Sequence, residues 1–127
     1  MANTSHTFKL LTYLRRCGYL RQLKKVIELG AQEMRCSGCE AELDEFVRAF
    51  NCDADYSNKD LTESSYGHPS KIFGLIKCSH ETLDVADHQF EKNDSQLFDL
   101  NFDRIPDDKR CQYDLVTNTG VTEHVFD

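Results

Sequence analysis

The sequence predicts an α+β protein in which N-terminal helices precede a small antiparallel sheet. Three observations carry that expectation. Apolar residues recur about every third position over residues 7–29, residues 40–50 hold a clean amphipathic stripe, and the chain after Pro69 breaks into short β-prone runs. At 127 residues the chain fits one ordinary domain. Charge divides it unevenly. Residues 1–27 hold Lys9, Arg15, Arg16, Arg21, Lys24 and Lys25 with no acid, so they are +6 against −13 for the remainder and −7 overall. We read residues 1–30 as a basic helical segment and 31–127 as an acidic α+β domain, the two forming one compact unit.

In the basic segment Phe8, Leu11, Leu14, Cys17, Leu20, Leu23 and Val26 recur at intervals of three, which predicts a helix from Thr7 to Leu29. Ser5 or Thr7 can cap its start, and Gly30 can supply a left-handed stop. Gly18 sits awkwardly inside it, at about 1 kcal/mol relative to alanine, and marks a bend or a close contact between two shorter helices. The cations spread around much of the circumference instead of forming one face, which argues against a membrane-surface helix. The helix is therefore expected to pack on the acidic remainder of the same chain or of a second copy. The alternative is a phosphate-binding helix, in which Arg15, Arg16, Arg21, Lys24 and Lys25 contact nucleic acid.

Leu43, Phe46, Val47 and Phe50 stand at i, i+3, i+4 and i+7, so Glu40 to Phe50 is an amphipathic helix with a core-facing stripe. Glu40, Glu42, Asp44 and Glu45 lie in its first turns, where the helix dipole favours negative charge. Asn51 to Pro69 is polar and reads as a long solvated loop. Its Asp53, Asp55 and Asp60 lack the glycine and glutamate spacing of a calcium loop. Strands are expected over Lys71 to Cys78, Leu83 to Phe90, Gln96 to Phe102 and Gln112 to Val125. Asn118-Thr119-Gly120 would turn a hairpin between Tyr113–Thr117 and Val121–Phe126, and Ile105-Pro106-Asp107-Asp108 would form the turn before it.

The most specific local pattern is Cys36-Ser37-Gly38-Cys39, whose two thiols can grip one tetrahedral ion. Cys78 and His80 are two apart on an expected strand and so share a face, which completes a set of four zinc ligands: Cys36, Cys39, Cys78 and His80. The expected fold is accordingly zinc-stapled. Cys52 competes poorly, because a continuous helix of ~12 residues would hold it about 18 Å from Cys39. Cys111, His68, His88 and His124 are reserve ligands, and Cys17 and Cys111 read as packing or incidental thiols. With no metal, the buried cysteines would act as small hydrophobes.

Catalytic motifs of the metalloprotease, nucleophile-elbow, P-loop and zinc-deaminase types are absent from the sequence, so no enzymatic activity is expected. A thioredoxin-like role would need its C-x-x-C in a βαβ setting, which the predicted order of elements does not supply. No apolar run is long enough to span a bilayer, and residues 1–6 lack a secretory pattern, so an intracellular location is expected, cytoplasmic and extending to the nucleus.

With its metal knuckle at Cys36-Ser37-Gly38-Cys39 and its acidic, cysteine-rich character, the chain resembles the small accessory proteins of plant RNA viruses, such as sobemovirus P1-like proteins. That resemblance implies zinc-finger cysteines and a role in suppressing host RNA silencing and in virus movement. The expected function is a non-enzymatic, zinc-binding interaction module that engages a protein partner or a second copy. Nucleic-acid binding through the basic helix is the first alternative. A thiol switch that releases zinc on oxidation of Cys36 and Cys39 is the second.

Overall fold

The computed structural model describes residues 4–30, 34–57, 69–84, 95–99 and 102–118. In chain order the elements are α1 (Thr4–Arg16), β1 (Lys25–Leu29), α2 (Glu40–Phe50), α3 (Pro69–Leu75), β2 (Ser79–Asp84), β3 (Ser95–Leu97), a 3-10 turn (Asp107–Lys109) and β4 (Leu115–Asn118). The described strands form one sheet in the order β3-β2-β1-β4, and each of their pairings is parallel.

Helix α2 spans the residues that its stripe predicts, with Leu43, Phe46 and Val47 fully buried. The basic segment differs from expectation. Its helix ends at Arg16, and Gly18 follows with φ +78, a left-handed conformation that terminates α1 and turns the chain. The Leu20, Leu23 and Val26 spacing continues into non-helical backbone, and the β-branched pair Val26-Ile27 enters the sheet as its inner strand. Three consecutive buried residues, Val26, Ile27 and Glu28, mark a strand covered on both faces. Gly30 is left-handed as expected, but it closes a strand, with its amide donating to the Leu83 carbonyl at 2.7 Å.

The antiparallel, zinc-stapled sheet is corrected on both counts. With residues 25–29 in the sheet, the connection from β1 to β2 runs through α2 and α3, and a helical crossover of that length joins parallel neighbours. The run 71–78, expected as a strand, is mostly α3: Pro69 stands at its first position, and Ile72, Phe73 and Ile76 share its buried side. Lys77 stops that helix at φ +58. The Lys77 amide donates to Gly74 at 3.0 Å and the Cys78 amide to Phe73 at 3.0 Å, the paired bonds of a Schellman ending. Strand β2 begins at Ser79, ahead of the start expected at Leu83, and residues 85–90 of that expected strand lie outside the described residues, as does the far arm of the hairpin, 121–126; β3 ends at Leu97, short of the expected Phe102.

Helix α1 packs on α2. Phe8 stacks on Phe46 at 5.2 Å, and Lys9–Glu42 at 3.3 Å and Arg16–Glu45 at 2.6 Å join the basic helix to the acidic one. The cations of α1 thus meet acids of the same chain. One sheet face carries Val26, Glu28, His80 and Thr82 toward this helical layer; the other carries Ile27 and Leu83 toward Phe98. Asp114 fastens β4 to β1, its carboxylate accepting from the amides of Lys24 at 2.8 Å and Lys25 at 3.0 Å. On the second face Glu81 accepts from Lys109 at 2.5 Å and Tyr113 at 2.7 Å, and these two bonds hold its carboxyl below the usual range.

Candidate functional site

The strand order places a crevice. After β3 forms one edge, the chain returns across the sheet to enter as β4 on the far side of β1, so the order reverses at the β1–β4 junction. In open parallel sheets ligands bind outside the carboxyl ends of the strands at such a reversal, because the loops that follow the neighbouring strands diverge there. Here those ends are Leu29-Gly30, Leu83-Asp84 and Thr117-Asn118. Gly30 gives the turn after β1 the left-handed backbone that a side chain would strain.

Electrostatics differ between the two ends of the sheet. Glu28 and Asp84 stand toward the carboxyl ends of β1 and β2 and Arg35 follows β1 in the chain, whereas Lys24, Lys25 and Lys77 gather at the amino ends of β1 and β2. Three polar residues lie buried on one face, His80 toward the amino end of β2 opposite Val26, and Glu28 and Thr82 two residues nearer the carboxyl ends. His80 Nε2 meets Glu28 Oε2 at 3.2 Å, the His80 ring stacks on Phe73 at 5.4 Å and 10°, and Thr82 pairs in register with Glu28. The Thr82 hydroxyl is buried with no hydrogen-bond partner among the described residues, the situation that a bound polar group or a water relieves.

The predicted zinc ligands are all buried, yet they do not assemble. Among the described residues no group of three or more His, Cys, Asp or Glu side chains is placed to hold a metal ion. Cys36 and Cys39 lie together before α2, where the Cys39 thiol turns back on the Cys36 carbonyl at 3.2 Å and the Arg35 carbonyl at 3.5 Å. His80 is engaged by Glu28, and the Cys78 thiol contacts the Ser79 carbonyl at 3.3 Å. Burial pushes the Cys36 thiol up to about 11 and the Cys78 thiol up to about 12, and burial with the nearby Glu42 carboxylate raises Cys39. Thiols raised in this way react slowly in the folded chain. Cys17, Cys52 and Cys111 are exposed, and no cysteine is in a disulfide. Of the reserve ligands His68, His88 and His124, all lie outside the described residues.

A thiol measurement follows. At pH 7.5 a thiol-reactive dye is expected to modify Cys17, Cys52 and Cys111 within minutes and to reach Cys36, Cys39 and Cys78 only on unfolding, with EDTA leaving Tm unchanged. Because the folded thiols titrate later than unfolded ones at about 8.5, stability holds below that pH and is lost as pH rises toward 11–12. The slope would be at most roughly 1.4 kcal/mol per pH unit for each thiol. Rapid labelling of all six cysteines in the folded chain, or an EDTA-induced fall in Tm, would contradict this arrangement.

The five basic positions separate. Arg16 pairs with Glu45, and Lys25 Nζ lies 5.7 Å from the Tyr113 ring centroid. Arg15, Arg21 and Lys24 instead line one cleft, joined there by Lys77. Sequence reading missed Glu28 and Lys77. An acid inside the apolar run Val26-Ile27-Glu28-Leu29 is the signal that could have found the first, since a buried carboxylate in a strand requires a partner. No described helix is long and apolar enough to cross a membrane. Comparisons of the chain with protein-family models, with curated proteins and with solved structures give no match.

Proposed function

We propose that the chain binds a nucleoside-containing ligand at the carboxyl ends of β1, β2 and β4. The observation that carries this reading is the parallel order β3-β2-β1-β4, which has the strand order of one mononucleotide-binding half of a doubly wound sheet, 3-2-1, with the next strand placed beside its first. Two further features narrow the ligand. The turn after β1 begins Gly30-Ala31-Gln32-Glu33-Met34-Arg35 and has only the first of the three glycines that let a backbone close on a diphosphate. The described strand residues at the carboxyl ends include Glu28 and Asp84 and no lysine or arginine, with Arg35 further along the turn after β1, a balance that favours hydroxyls or positive charge over a polyanion. A ribose without diphosphate fits this chemistry, and an adenosyl sulfonium such as S-adenosylmethionine fits it best.

The test is a series of probes that share adenosine and differ in charge: S-adenosylmethionine, adenosine, ATP and NAD, each titrated calorimetrically and by thermal shift. The sulfonium is expected to bind tightest and the two phosphate-bearing probes weakest. Saturation at 100 times Kd stabilises the fold by ~2.7 kcal/mol and raises Tm by several degrees. Asp84→Ala, at the carboxyl end of β2, should reduce binding at least tenfold while leaving Tm of the free chain within a degree. Preference for ATP and NAD, or no binding by any probe, would sink the proposal.

A second reading, the non-enzymatic interaction module, draws support from the outer surface of α1, where Leu10 and Tyr13 are 56% and 59% exposed one turn apart. Self-association through this surface would appear in light scattering as a dimer that Leu10→Glu with Tyr13→Glu converts to monomer. A monomer at high concentration would remove the homodimer from consideration.

A further inference from the structure

At the amino end of the sheet, opposite the proposed nucleoside crevice, a cleft of about 250 Å³ is lined by Arg15, Arg21, Lys24 and Lys77 around Leu23, Phe50 and Ile76. We propose that this cleft is a second site, which binds a phosphomonoester attached to an apolar or aromatic body. Its polar lining contains four cations, the amide Gln22 and no carboxylate. Arg15 is already oriented: Nε donates to the Ala49 carbonyl at 3.3 Å, a terminal nitrogen donates to the Arg21 carbonyl, and the guanidinium lies 5.6 Å from the Phe50 ring centroid. It neutralises the carbonyl end of α2 and gives the cleft a fixed wall.

The remaining cations have no such task. Among the described residues no carboxylate is in ion-pair contact with Arg21, Lys24 or Lys77. The nearby Asp114 carboxylate accepts from the backbone amides of Lys24 and Lys25 and from the Gln22 side chain at 3.5 Å, and its charge partly offsets that of Lys24, leaving Arg21 and Lys77 the less compensated cations. Three mutually repelling cations around one concavity are stabilised by a doubly charged anion, and a phosphomonoester offers that charge with three acceptor oxygens. Lys77 adds an independent observation. It occupies the left-handed position of the Schellman ending, which glycine fills at least strain, so the chain carries a lysine at the rim against its backbone preference. Leu23, Phe50 and Ile76 then provide an apolar surface for the body attached to the phosphate.

Phenyl phosphate, phenol and inorganic phosphate are the first probes, because none contains a nucleoside and none can report on the opposite crevice. Phenyl phosphate is expected to bind at least tenfold more tightly than either fragment, and its affinity should fall with added salt. Arg21→Ala and Lys24→Ala should each weaken it severalfold. Lys77→Gly is the decisive variant, since it should raise Tm by relieving the left-handed lysine and weaken phenyl phosphate by about tenfold at the same time. A free metabolite and a nucleic-acid end are then separated with AMP and with a decanucleotide carrying or lacking a 5′-phosphate. Dependence on the 5′-phosphate supports the cleft with a strand end as its source, whereas AMP binding that is lost in Lys77→Gly supports it with a free monophosphate. Equal binding of both decanucleotides with no binding of phenyl phosphate would overturn the proposal in favour of a diffuse basic surface, and unchanged phenyl phosphate affinity in Lys77→Gly would overturn it outright. Neither result bears on the adenosine series, whose variant is Asp84→Ala.

Discussion

Phe46→Ala is expected to lower stability by about 3–5 kcal/mol, the range for removing a large aromatic side chain from a packed core. Phe46 is fully buried at the centre of an aromatic cluster, stacked with Phe8 at 5.2 Å, tilted against Phe50 at 5.3 Å and edge-on to Phe73 at 6.3 Å. Those rings belong to α1, α2 and α3, so one side chain joins the three described helices that cover the sheet. Domains of this size have total stabilities of ~5–15 kcal/mol, so the variant would lose a large share of its cooperativity or unfold. Urea denaturation measures the effect. Phe102→Ala, at a residue 87% exposed, should stay within ~0.5 kcal/mol and serves as the control. A small effect at Phe46 would mean that the three helices do not share one core.

The second large effect belongs to Glu28 and His80. Their side chains are 7% and 1% exposed, on adjacent inner strands, and replacing His80 with leucine removes the imidazole from a largely buried carboxyl group. Breaking one half of such a pair costs roughly 3–5 kcal/mol, whereas replacing both halves by apolar residues is often close to neutral. The Glu28→Leu, His80→Leu double variant should therefore be more stable than His80→Leu alone. Destabilisation equal to the sum of the two single variants would show that the contact carries no coupling. The same double variant asks whether the pair shapes the crevice: if its fold is kept and adenosyl binding falls, Glu28 and His80 position the turn at Gly30 as well as stabilising the sheet.

His80 shows how far the sequence could be followed. Its chemistry marked it as a ligand, and the structure makes it a partner of Glu28, a residue 52 positions earlier. Nothing local to Cys78-Ser79-His80 signals that acid. The Cys36–Cys39 turn was legible as a turn, with Gly38 at φ +80, but the direction of its thiols depends on the helices packed over it. The basic residues of the first 27 positions were legible as a charge asymmetry. Their division into ion pairs with α2 and a cleft with Lys77 required α1 to end at Arg16.

By itself the sequence determined α2, because a stripe at i, i+3, i+4 and i+7 with acids in the first turn satisfies the helix at every level, from dipole to core face. It also indicated the left-handed glycine at Gly30, though as the stop of a helix, whereas the left-handed turns at Gly18 and Gly38 emerged only in the structure. Only the tertiary structure decided that Lys25–Leu29 is an inner strand, that Pro69–Leu75 is a helix and that the sheet is parallel. Short apolar runs fit a buried helix and a buried strand equally well until their neighbours are known. The direction of a strand depends on how the chain returns to it, a relation among distant segments that no local pattern records.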